Sequence, residues 1–115
     1  MSAKTKRAKD WRKSSAYREL KRSMEENLQA RGLAEAVYAD KVAEYMDFWV
    51  RRKELQADIE ERGLTVFDER GRMSENRSVS LEIQASKQML AIFTALGFKQ
   101  EVERGGSGGV DEDEL

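Results

Sequence analysis

The 115-residue chain contains no proline, no cysteine and no histidine. Each absence removes a class of chemistry. Without Cys and His there is no zinc finger, no thiolate nucleophile, no Ser-His-Asp triad and no disulfide framework. Adjacent carboxylates do occur, at Glu60-Glu61 and Asp68-Glu69. Neighbours of this kind on a helix end or a turn are usually solvated, and no spacing brings carboxylates from several helices together on a metal. The run Gly105-Gly106-Ser107-Gly108-Gly109 follows no strand and opens no helix, so it is not a phosphate cradle. No catalytic residue, metal, cofactor or small-molecule substrate is assigned, and the chain reads as a non-enzyme. Long apolar runs are missing as well. Nothing approaches the ~18 residues needed to cross a bilayer. The basic start has no apolar stretch behind it, so neither a signal peptide nor a membrane partner is expected. A cytoplasmic location follows.

The lack of proline, against an average of about 5%, favours long unbroken helices. Gly32, Gly63 and Gly97 each follow a helix-like stretch, where a left-handed C-terminal cap is expected. The first helix is expected from Asp10, as N-cap, to Arg31, with Tyr17, Leu20, Met24 and Leu28 as one apolar stripe. Its basic first turns oppose the helix dipole, which predicts fraying there. The second helix is expected over 33–62. Val42, Tyr45, Trp49 and Ile59 share one face, with Tyr38 and Leu55 beside it. Met46, Phe48 and Val50 fall off that face, and this surplus reads as a subunit interface. Thr65-Val66-Phe67 is strand-like and Asp68 to Gly71 turn-like, predicting a hairpin or extended loop. The third helix is expected over 77–96 behind an Asn76 N-cap. One of its rows holds Val79, Ile83, Leu90 and Phe93; the adjacent row holds Met89, Ile92 and Leu96. Packed antiparallel on the second helix, it would bury the Tyr45 and Trp49 region. The fold class is therefore all-α: three helices, the central one long. Residues 1–9 form a disordered basic arm, 10–98 a helical domain, and 99–115 a Gly-rich linker with an acidic tail.

A net charge of −1 hides strong segregation. Residues 1–31 carry ten Lys and Arg against four acids, whereas residues 98–115 carry two against six. Cations at one end suit phosphate contacts and counterion release. The candidates are Lys4, Lys6, Arg7, Lys9, Arg12, Lys13, Arg18, Lys21 and Arg22. Trp11 sits among them, suited either to base stacking or to the apolar stripe. Arg51-Arg52-Lys53 reads first as a solvated face, with Asp47 as an i,i+4 partner for Arg51, and second as a phosphate patch.

Asp40, Tyr45, Trp49, Leu55 and Gly63, then Gly71, Asn76 and Leu96-Gly97-Phe98, follow an order that resembles the small subunit of tailed-phage terminases. Arg77 stands where that family has Pro after Asn. The resemblance implies a non-catalytic, ring-forming homo-oligomer acting in the host cytoplasm. Its partners would be double-stranded viral DNA and the large ATPase-nuclease terminase subunit, which it would recruit and stimulate. Tyr45, Met46, Phe48, Trp49, Phe67 and Phe93 are the candidate core and subunit-interface residues. Asp111, Glu112, Asp113, Glu114 and Leu115 are the candidate dock for the large subunit. The residues alone also fit a small dimeric DNA-binding regulator, repressor or antitoxin-like.

Overall fold

The computed structural model describes residues 9–98. The expected linker and acidic tail at 99–115, and the basic arm apart from Lys9, lie outside them. A 3-10 turn at Trp11–Lys13 leads into α1 (Ser15–Ala30) and α2 (Ala36–Arg62). A hairpin of β1 (Thr65–Phe67) and β2 (Met73–Glu75) follows, then α3 (Arg77–Ala95). The fold is mostly helical, with one small antiparallel sheet between the second and third helices. Its register pairs Thr65 with Glu75, Val66 with Ser74 and Phe67 with Met73.

The first helix starts later than Asp10. Asp10 caps only the 3-10 turn, accepting from the Arg12 amide at 3.2 Å. Ser14, extended at φ −76°, ψ 153°, caps α1 by accepting from the Tyr17 amide at 3.1 Å. The competing local cap thus divides what periodicity joins. α2 likewise starts at Ala36, behind Glu35. At 27 residues it is about 40 Å long.

α2 runs through the middle of the domain and uses two sides within one copy. Asp47 and Trp49 meet the 3-10 turn and α1. Tyr45, Arg52 and Asp58 meet α3. The core unites Met24 and Leu28 of α1, Val42 and Met46 of α2, and Ile92 and Leu96 beside them. Val50, Ala85 and Met89 are buried too. This corrects the expected pattern in two places. Met46 and Val50, assigned to surplus surface, are buried in the single copy because α1 and the 3-10 turn cover their side. The Trp49 ring meets Trp11 and Tyr17, so of the expected pair it is Tyr45 whose ring meets Phe93. In α3 the row of Met89, Ile92 and Leu96 is buried, while Ile83 and Leu90 of the other row stay 47% and 51% exposed.

Two junctions hold the helices. At one end the Arg31 guanidinium donates to the Leu96 carbonyl at 2.7 Å and lies over the Phe98 ring, tying the end of α1 to the end of α3. Gly97, at φ 83°, sits beneath it, and a Cβ there would fall 2.8 Å from the guanidinium. At the other end lies Asn76, fully buried. Its Oδ1 caps α3 through the Ser78 amide at 2.9 Å and accepts from Arg62 at 3.1 Å. Its Nδ2 donates to the Gly63 carbonyl at 3.0 Å and to Asp58 at 3.2 Å. Asp58 also accepts from Nε and Nη2 of Arg62 and from the Ser78 hydroxyl at 2.7 Å. These bonds, Arg62 foremost, hold the Asp58 carboxyl far below the usual carboxylate range. In the hairpin turn the Arg72 backbone amide, with the Arg72 side chain and the Arg70 amide, lowers the Asp68 carboxyl pKa.

Asn76→Ala removes a cap and strands the polar groups around it, so it should cost about 2–4 kcal/mol in urea unfolding. A loss under half a kilocalorie would place the junction elsewhere. The depressed folded-state pKa of Asp58 and Asp68 contributes stability that is present above the unfolded-state value near 4 and lost as pH falls through the folded values. Unfolding free energy should therefore drop on acidification below about pH 4. Asp58→Asn should flatten that drop while lowering stability at pH 7. An unchanged acid limb would contradict this.

Candidate nucleic-acid interface

The 3-10 turn is the hub of the basic end. Ser14 closes it by donating from its hydroxyl to the Trp11 carbonyl at 2.7 Å. Trp11 is thereby aimed at α2, where its ring meets Trp49 edge-on, with centroids 6.0 Å apart at 83°. Tyr17 reaches the same Trp49 ring at 5.8 Å and 61°. The open question over Trp11 is answered here: the ring is an anchor that docks the turn on α2.

Cations gather around that anchor. Lys9 Nζ lies 4.1 Å from the Trp11 ring centre. Lys53 Nζ, from the middle of α2, lies 5.8 Å from Trp11 and 5.3 Å from Trp49. Ammonium groups over indole faces are favourable and still reach solvent. Arg12 pairs with Asp47 at 3.0 Å, and this bond, with a second to Tyr17, raises its pKa. A cleft of about 320 Å³ lies between the turn and α2, with Arg51 on its wall and Asp10, Asp47 and Glu54 among its acids.

Of the cations named from sequence, Lys4, Lys6 and Arg7 lie outside the described residues. Lys9, Arg12 and Lys13 come together at the turn, with Lys13 4.0 Å from Asp10. Arg18 donates to the Lys13 carbonyl at 2.6 Å. Lys21 and Arg22, on the next turns of α1, pair at i,i+4 with Glu25 at 3.8 Å and Glu26 at 3.9 Å. The triplet on α2 is split. Arg52 is bonded to Glu82 and Gln56 shares that carboxylate. Lys53 joins the tryptophans. Arg51 remains exposed, and its expected partner Asp47 is taken by Arg12, which the docked turn brings closer. Sequence reasoning missed Lys53 as a neighbour of Lys9, since the two are joined only through the Trp11–Trp49 contact. The tryptophan pair itself was the available signal.

The residues named for core or interface are spread out. Met46 is fully buried, and Phe48 and Trp49 are half-buried. Tyr45 is half-buried beside Phe93, ring centres 6.4 Å apart, and burial pushes its hydroxyl pKa up. Phe67 projects from the hairpin at 69% exposure. Asp111 to Leu115 lie outside the described residues. Among the described residues no helix is long and apolar enough to cross a membrane.

In a double-mutant cycle of Trp11→Ala and Trp49→Ala, the coupling should be about 1 kcal/mol in unfolding free energy. Strict additivity would show that the turn is not docked through this contact.

Residues 16–105 match the family described as phage terminase, small subunit. The match spans all three helices and the hairpin and begins just after the basic turn. Neither a curated protein nor a solved structure matches the chain. A match over most of the chain, on a fold in the expected element order, places this protein in the phage terminase small-subunit family, with a role in phage DNA packaging.

Proposed function

We propose that the chain is the non-catalytic subunit that recognises viral DNA for packaging, working as a ring of copies that recruits and stimulates the large ATPase-nuclease subunit. The observation that carries the DNA reading is the convergence of Lys9, from the start of the basic turn, and Lys53, from α2, around the Trp11–Trp49 anchor, with Lys13 on the same turn. Lys4, Lys6 and Arg7 precede this patch in the chain and extend its charge. One copy alone is a weak binder, because Arg12, Lys13, Lys21 and Arg22 each face a carboxylate. Several copies joined in a ring present the same patch repeatedly, and effective concentration turns weak contacts into strong ones. Phosphate contacts position a duplex without reading bases, so site choice rests on DNA shape or wrapping. The acidic stretch from Asp111 to Leu115 is the proposed dock for the large subunit.

Fluorescence anisotropy with a labelled duplex at several salt concentrations tests the DNA reading. Lys9→Gln, Lys13→Gln and Lys53→Gln together should weaken binding and reduce the salt slope by about 3, at roughly 0.9 per lost phosphate contact. Asp47→Asn should instead tighten binding a few-fold, by removing a negative charge and releasing Arg12. A triple variant with unaltered affinity and slope would move the DNA surface away from the anchor.

A further inference from the structure

The 3-10 turn and α1 cover one end of α2, up to about Val50. Among the described residues, the other end of the α2–α3 pair, with the hairpin, has no third helix over it. Two complementary features lie between the middle of α2 and the hairpin. One is a groove of about 580 Å³ between α2 and α3, floored by Phe48, Leu55, Leu81 and Ala85. Its rim carries Arg51, Glu54 and Lys87. The other is the hairpin, whose Phe67 and Met73 are opposite each other in the register and 69% and 65% exposed. Leu64 beside them is 66% exposed. Three-residue strands are marginal alone in water, and an apolar cross-strand pair left outside gains by burial.

We propose that the Phe67–Met73 face of the hairpin docks in the α2–α3 groove of a second copy of this chain. The charges on both sides are complementary. Glu69, Glu75 and Arg70 on the hairpin take part in no ion pair among the described residues, and neither do Arg51, Lys87 and Glu54 on the groove rim. Acids of the hairpin thus meet rim cations, and Arg70 meets Glu54. No hairpin residue lines the groove of its own copy. The contact therefore joins two different surfaces, and such a contact propagates from copy to copy until it closes. This rests on the ring reading above and assigns its interface. Leu90 and Ile83 of α3 are the rival knob for the same groove, but they are less exposed than the hairpin pair and belong to a continuous helix.

The absence of native cysteine makes the test clean. Full-length Phe67→Cys and Gln84→Cys chains, with tags of different size, are co-expressed and oxidised. A mixed Phe67→Cys–Gln84→Cys disulfide dimer is expected, with neither variant cross-linking to itself. Phe67→Asp should shift the assembly to monomer in light scattering with helical circular dichroism unchanged. A multimer lacking the mixed cross-link, or one in which Leu90→Cys cross-links to Gln84→Cys instead, overturns this interface and leaves the ring reading standing. A Phe67→Cys self-cross-link also overturns it, in favour of a two-fold contact. A native chain that is monomeric throughout overturns both.

Discussion

A fully buried asparagine organises the part of the fold where three elements meet. Asn76 accepts for the start of α3 and for Arg62, and donates to the end of α2 and to Asp58, so all its bonding capacity is met. A buried amide with every partner in place specifies one arrangement, because each partner lost strands another polar group. The consequence is directional. α2 must end at Gly63, the chain must leave as a hairpin, and α3 must return antiparallel along α2. The remainder of the helical core is then a matter of covering the Val42–Met46 side, which α1 does.

That arrangement determines what is left uncovered. α1 and its 3-10 turn reach only part of α2, so the half nearest the hairpin stays two elements deep. The exposed apolar residues at the hairpin lie there, while the basic turn sits at the edge of the covered half. The proposed surface for joining copies and the proposed surface for meeting polyanion are thereby adjacent along one rod, with Arg51 and Glu54 lining both. On this proposal a ring would form without hiding Lys9 and Lys53. On the proposed function, intramolecular pairing of Arg12, Lys21 and Arg22 is tolerable because repetition around a ring would restore what one copy lacks.

Much of this was legible in the residues. Proline absence, the three glycines and the Asn76 cap located the helices, and the strand-like Thr65-Val66-Phe67 located the hairpin. Two things were not legible. Periodicity shows that α2 is apolar on more than one side, but not whether the second side is met by another copy or by α1 folding back, because the turn at residues 31–35 sets that geometry and lies outside the helical period. Ionic partners were equally hidden. Arg31 looked like one more cation of a basic head, yet it ties α1 to the Leu96 carbonyl 65 residues away. Asp47 looked like the i,i+4 partner of Arg51, yet it holds Arg12, 35 residues distant. Local spacing finds helix-surface pairs and is blind to those made by tertiary folding.

The central claim is that this small domain works as a closed assembly and not as a single copy. Multi-angle light scattering on the full-length chain at micromolar concentration addresses it directly. One discrete species of six or more copies is the expected result. A chain that stays monomeric across that range, or stops at a dimer, would contradict it.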